Sequence, residues 1–247
     1  MDMSFWTGAV GAGTMQKHLD VVSNNLANIN TNGYKAKDGS FQELVKYNLH
    51  APEDEESDLR TGSGARIVST HTDFTTSAFT DTNRNLDFAI NGDNRFFGLQ
   101  DPTTGRLTFT RDGRFHAGQM GEGSFYLMNE SNQLVLNGNG QPIPMEVNAD
   151  GEADLAEGQT VGVYTVTYPS RLLSAGDNAF YIQDGDTENT VSLDPDTKLT
   201  RGALETSGTD MAKEMTKVIE TERAMQMNLR MVSTSDEVMQ TINQLRG

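Results

Sequence analysis

The chain of 247 residues contains no cysteine. Without thiols it has neither a disulfide framework nor a thiolate metal site, and its compartment stays open, because such a chain is indifferent to redox poise. Basic residues are scarce as well, with 19 Lys and Arg against 35 Asp and Glu and a formal net charge of −16. Nucleic acids and anionic membranes both reward cations, so neither is expected as a partner, and the charge reads as a solubility device. No stretch approaches the roughly 20 consecutive apolar residues that cross a bilayer, so no membrane insertion is expected. The opening residues Met1-Asp2-Met3-Ser4-Phe5-Trp6 carry no basic stretch, and Gly8, Gly11 and Gly13 break up the next turns of chain. A cleavable secretory signal is therefore not expected there, and export would need another route.

Signatures of chemistry are missing too. His18, His50, His71 and His116 are scattered without the spacing that zinc requires. There is no Gly-x-Ser-x-Gly elbow of a serine hydrolase. Asp184-Gly185-Asp186-Thr187-Glu188 opens like a calcium loop, but Asn189 stands where the loop needs glycine and Pro195 where it needs a bidentate Glu, so a turn is the better reading. Carboxylate pairs such as Asp150 and Asp154 arise by chance in an acidic chain and carry no glycosidase signal. Gly8, Gly11, Ala12 and Gly13 have no preceding strand and no Lys-Ser or Lys-Thr after them, so they do not cradle phosphate. No catalytic, metal or cofactor-binding residue is assigned, no cofactor is expected, and the chain is not expected to be an enzyme.

What is present is concentrated at the ends. Phe5, Gly8, Ala12, Met15, Leu19, Val22, Leu26 and Ile29 recur at spacings of three and four, the seam of a helix that packs lengthwise on another. Met211, Met215, Val218, Met225, Leu229, Val232 and Met239 form a second stripe, broken by Glu222 and Asp236 and flanked by Met231, Val238, Ile242 and Leu245. Methionine adapts to irregular partners, but helical stripes of this kind usually face packed neighbours. The small residues near the start let another helix approach closely. The first helix is expected to stop near Asn30-Thr31-Asn32-Gly33, and the second to open after Ser207-Gly208-Thr209-Asp210.

Between the stripes the signals change. Residues 35–75 read as irregular, a linker or extended arm, with Pro52, the acidic run Glu53-Asp54-Glu55-Glu56, Thr61-Gly62-Ser63-Gly64 and one apolar patch at 41–47. From 76 to 205, Asn-Gly and Asp-Gly pairs at 91, 112, 137, 139, 150 and 184 punctuate short β-prone runs. Strands are expected at 86–90, 95–99, 107–111, 134–136, 161–168, 180–182 and 199–204. The predicted fold is α+β: N- and C-terminal helices paired as a coiled coil around a central, mainly antiparallel all-β domain. The segments are 1–34, 35–75, 76–205 and 206–247. Such a layout suits a protein that assembles, or an adhesin with a β-domain on a helical stalk. A cell-wall hydrolase would need a convergent acid and base that the sequence does not supply.

The run Leu19-Asp20-Val21-Val22-Ser23-Asn24-Asn25-Leu26-Ala27-Asn28-Ile29-Asn30-Thr31-Asn32-Gly33-Tyr34-Lys35 resembles the N-terminal signature of bacterial flagellar rod and hook proteins. Leu86-Asp87-Phe88-Ala89-Ile90-Asn91-Gly92, Phe96-Phe97, Phe109-Thr110-Arg111-Asp112-Gly113-Arg114-Phe115, Leu204-Glu205-Thr206-Ser207, Glu222-Arg223-Ala224, Asn228 and Val232-Ser233-Thr234-Ser235-Asp236 continue the likeness. Two departures are local: Asp93-Asn94-Arg95 where the family commonly has a second glycine, and Gly208-Thr209 where it has Asn-Val. The resemblance implies a structural subunit of the basal-body rod, placed in the flagellum across the periplasm and cell envelope. It implies helical self-assembly into a hollow axial tube that transmits torque and passes exported subunits. Neighbouring rod and hook subunits and the flagellar type III export apparatus are the implied partners. Met15, Leu19, Val22, Leu26 and Ile29 would then meet Met215, Val218, Met225, Leu229, Val232 and Met239. Asn24, Asn25, Asn28 and Gly33 would make polar contacts at the helix end, between subunits.

Overall fold

A computed structural model describes residues 3–44, 46–48, 60–120, 124–147, 153–156, 158–194 and 197–246. Pro52, the acidic run from Glu53 to Glu56, the Asp150-Gly151 turn and Pro195 lie outside them. The chain divides into two compact units: Met1–Ala27 with Lys37–Thr72 and Asp210–Gly247, and Asn28–Ala36 with Asp73–Thr209.

The first unit is built on α1 (Met3–Ala27) and α2 (Met211–Arg246). Asp210 opens α2 as predicted, its Oδ1 accepting the backbone N–H of Ala212 at 2.9 Å and that of Lys213 at 3.3 Å, two donors with no partner inside the helix. The helices run antiparallel: Ser4 meets Ser235, His18 meets Thr221 and Asn25 meets Glu214, so position rises on one as it falls on the other. The stretch expected to be irregular instead holds an antiparallel ribbon, Lys37–Glu43 against Ala65–Thr72, with a register shift between Ser40 and Phe41. Most of its residues are exposed. Neither face carries an apolar row, and so the period-two pattern that announces a half-buried strand is absent.

The second unit is β-rich and, among the described residues, antiparallel throughout. Its main sheet centres on Arg95–Gln100, hydrogen-bonded to Leu107–Thr110, Leu134–Val135 and Val163–Val166. The sheet extends through Ala179–Tyr181 and Leu173–Gly176 at one end and through Ser124–Met128, Pro144–Val147 and Ala153–Leu155 at the other. The sequence pattern predicts the strands at 95–100, 107–110, 134–135, 163–166 and 179–181 but not those at 124–128, 144–147, 153–155 and 173–176, and the alternation of Arg95–Gln100 shows why the fold is stable. Phe97 and Leu99 enter one core with Phe88, Phe115, Leu127 and Val163, while Phe96 enters another with Phe74, Phe109, Tyr164 and Phe180. Each such side chain, withdrawn fully from water, contributes about 1.5–3 kcal/mol. The expected 199–204 strand is two short ones, Leu199–Arg201 and Ala203–Glu205, which turn at Gly202 to pair with Phe88–Ile90 and Phe79–Asp81.

Asn94 explains the first departure from the family pattern. Its φ is +60°, the left-handed conformation that a glycine adopts without strain and that asparagine tolerates best among other residues. Asp93 beside it accepts hydrogen bonds from the Thr76 backbone N–H and hydroxyl, which hold its carboxyl below the usual range. A further turn, at Asp177 and Asn178 with φ of +47° and +56°, carries no Asn-Gly or Asp-Gly signal, so the sequence pattern does not announce it.

Candidate assembly site

The helix seam contains fewer apolar residues than its stripes suggest. On α2, Glu214, Thr221 and Ser235 are buried, with Val218, Met225, Asn228 and Val232 half-buried between them, a run that alternates steps of four and three. On α1, Val22 is fully buried, Met15, Leu19 and Leu26 are half-buried, and Ile29 lies half-buried beyond the helix end. Close approach is made possible by Gly8 and Gly11. A Cβ at Gly8 would stand 3.0 Å from the Val232 side chain, and one at Gly11 would stand 2.9 Å from the Asn228 carboxamide. His18 donates to or accepts from the Thr221 hydroxyl at 3.0 Å and meets the Phe41 ring edge-on, which ties the ribbon to the helices.

The expected α2 stripe is therefore one residue out of phase at several turns. Met215, Leu229 and Met239 are 51%, 51% and 39% exposed, and Met211, Ile219, Met227, Met231, Val238, Ile242 and Leu245 join them on the outside. The physical reason is that small and polar side chains bring the two backbones together, which leaves the larger apolar residues to flank the contact. The sequence stripe tracks side-chain size, whereas the seam runs through the positions where size is smallest.

Asn25 is committed inside the first unit. Its Nδ2 donates to the Lys37 carbonyl at 2.7 Å, its Oδ1 accepts the Lys37 N–H at 2.9 Å, and the same amide donates to Glu214 at 3.1 Å. A carboxamide is the side chain that reproduces both halves of a peptide group, so Asn25 pairs with the first ribbon residue as another strand would. Lys217 then bridges Glu214 and Asp38, and despite partial desolvation those two carboxylates hold its ammonium above the usual range. Asn24 is exposed on α1, and Asn28 accepts from Thr31 through its backbone and side-chain oxygens in the turn after the helix.

In the second unit, three of the motifs quoted from the sequence meet in one buried cluster. Glu205 accepts from Lys35 Nζ at 2.7 Å, Arg111 Nε at 2.8 Å and the Ser77 backbone N–H at 2.7 Å, and all three charged side chains are about 1% exposed. Lys35 also donates to the Thr75 carbonyl, and Arg111 to the carbonyls of Gly92 and Arg95. Burial pushes the Lys35 ammonium below its usual range, with Arg111 adding to the effect and Glu205 opposing it. Gly33 sits against the same cluster with φ +63° and its N–H on the Glu205 carbonyl; a Cβ there would stand 2.5 Å from the Arg111 backbone. Its role is thus a close approach inside one chain. Resemblance alone marks these motifs in the sequence, and nothing there marks the ion cluster, whose members are up to 170 positions apart.

Among the described residues no group of His, Cys, Asp or Glu is arranged to hold a metal ion, and no helix is long and apolar enough to cross a membrane.

Residues 7–35 match the family described as flagella basal body rod protein, and residues 200–245 match the flagellar basal body rod FlgEFG protein C-terminal family. The chain is 30% identical to the flagellar basal-body rod protein FlgG of Buchnera aphidicola subsp. Acyrthosiphon pisum, over 98% of this chain and 99% of the relative. It is 28% identical to the Bacillus subtilis FlgG, over 98% of each chain, and 27% identical to the FlgF of Mesorhizobium japonicum, over 92% of each. The two matched segments hold α1 with its signature and α2 with the Glu205 strand, and the likeness to whole relatives runs through the β-rich unit between them, so this chain belongs to the flagellar basal-body rod protein family.

Proposed function

We propose that this structural subunit of the flagellar basal-body rod assembles through its helix pair. Copies of the chain, and neighbouring rod and hook subunits, stack helically into a hollow axial tube that transmits torque and passes exported subunits. In this reading α1 and α2 pair as a coiled coil whose narrow polar seam fixes register, while the apolar residues outside the seam meet other subunits. The observation that carries it is the row of exposed Met215, Ile219 and Leu229 on one long helix, an apolar surface that a soluble monomer has no reason to keep. Asn24 and Asn28 remain candidates for contacts between subunits, and the ribbon at 37–72 is a candidate for contacts that stiffen the tube. The chain reaches its place through the flagellar type III export apparatus, and its role is mechanical rather than enzymatic.

Leu229→Asp tests the reading, because that side chain is half exposed. The monomer should keep its melting behaviour to within about 0.5 kcal/mol, as surface substitutions usually do. Incorporation into rods and motility of complemented cells should be lost, since a charge placed in a packed interface is costly to desolvate. Normal motility with normal rods would refute the proposal.

A further inference from the structure

The β-rich unit carries an open cleft of about 500 Å³ that the assembly argument does not use. Tyr126 is the one aromatic side chain among the cleft's described lining residues. In the sheet Tyr126 stands directly opposite Gly118 on one side and Pro144 on the other, and directly opposed residues share a face. Neither neighbour has a long side chain to cover the ring. Met120 and Pro142 complete an apolar floor.

The polar edge is made of neutral amides. Asn137 donates through Nδ2 to the Gln159 side-chain carbonyl at 3.1 Å and accepts through Oδ1 from the backbone N–H groups of Asn139 and Gln141. The Asn137 Oδ1 is thereby saturated, and its Nδ2 holds Gln159 with that side chain's own two N–H donors turned away from the bond. Those donors, the Gln141 carboxamide and the Tyr126 hydroxyl have no hydrogen-bond partner among the described residues. No charged side chain among the described residues lines the cleft, in a chain whose net charge is −16.

We infer that this cleft is a binding site for a neutral glycan bearing acetamido groups. Among the described lining residues a charged ligand would find no counter-ion, and a wholly apolar one would desolvate the amides without replacing their hydrogen bonds with water. A pyranose ring offers both kinds of surface. Its C–H face covers the Tyr126 ring, its hydroxyls reach the Tyr126 hydroxyl and the Gln159 donors, and an acetamido group pairs its N–H and C=O with the Gln141 carboxamide. The acetamido methyl group rests on Met120 and Pro142. This site and its occupant are independent of how the helices assemble.

The test is calorimetric titration of the full chain with N,N′,N″-triacetylchitotriose, with cellotriose as the analogue that lacks acetamido groups. Saturable binding of the chitotriose is expected, with cellotriose weaker. Tyr126→Ala should weaken binding about 10-fold or more, as loss of a central aromatic contact commonly does. Gln141→Ala, at an exposed position with no packing role, should weaken it severalfold while leaving the thermal melt unchanged. No saturable heat up to the solubility of the sugar would overturn the proposal, as would binding that neither variant changes. Equal binding of cellotriose would overturn the acetamido assignment.

Discussion

Replacing Glu205 by Gln is the sharpest perturbation of the β-rich unit. The substitution preserves shape and removes one charge, which leaves Lys35 and Arg111 as two buried cations without their paired carboxylate, with only the more distant Asp73 and Asp93 acting on them. Their remaining acceptors, the carbonyls of Thr75, Gly92 and Arg95, do not neutralise them. Removing one partner of a buried ion pair costs about 3–5 kcal/mol. The unit holds roughly 150 residues, and a domain of that size is stable by about 5–15 kcal/mol in total. At about 2–4 °C per kcal/mol the melting temperature should fall by roughly 6–20 °C. Lys35→Met should cost less, on the order of 1–3 kcal/mol, because it leaves the Arg111–Glu205 pair intact and orphans one carbonyl. Thermal unfolding of the purified full chain, followed by circular dichroism in the strand region, measures both. A fall below about 2 °C for Glu205→Gln, or a larger effect from Lys35→Met, would refute the view that the carboxylate is the keystone of the cluster.

Asp112 supplies a pH dependence. Burial raises its carboxyl to about 6, so between about 3.8 and 6 the folded state binds more protons than the unfolded one, and this residue's contribution to stability falls as pH rises through that window. Asp112→Asn, which keeps the acceptor for the Arg114 N–H, should flatten that dependence in denaturant titrations and raise stability at pH 7 by roughly 1–3 kcal/mol; an unchanged pH profile would count against it. Fragment boundaries make the last prediction: residues 28–209 should unfold cooperatively as a monomer, whereas 76–205 should not, because it lacks Gly33, Tyr34, Lys35 and Phe74. A cooperative melt of the shorter fragment at the temperature of the longer one would contradict the role given to the cluster.

The two long helices and the central strands are legible in the sequence because their signals are local. Val161–Tyr168 reads as a strand with apolar residues on both faces, and the observed Val163–Val166 is buried on nearly every residue. The phase of the α2 seam is not legible, because large side chains at Met215 and Leu229 dominate any apolar count while Glu214, Thr221 and Ser235 make the contact. The ribbon escapes notice for lack of a buried face. Asn25 carries a signal, as part of an unusual Asn-rich run, but the strand it pairs with cannot be known before the ribbon is seen. The Glu205 cluster leaves no trace in spacing at all. Its members are ordinary charges until the chain closes.

That closure bears on when the protein can fold. Gly33 and Lys35 wait for Glu205, Tyr34 accepts from Gly208, Ala78 accepts from Thr206, and Asp87 accepts from Gly202. A chain made from its N terminus completes none of these bonds until residues 202–209 emerge from the ribosome. What is still to come at that moment is α2. The strands between 95 and 181 can pair with one another earlier, but the segments 28–36 and 78–87 stay without these partners until the last part of the chain before α2 has been made.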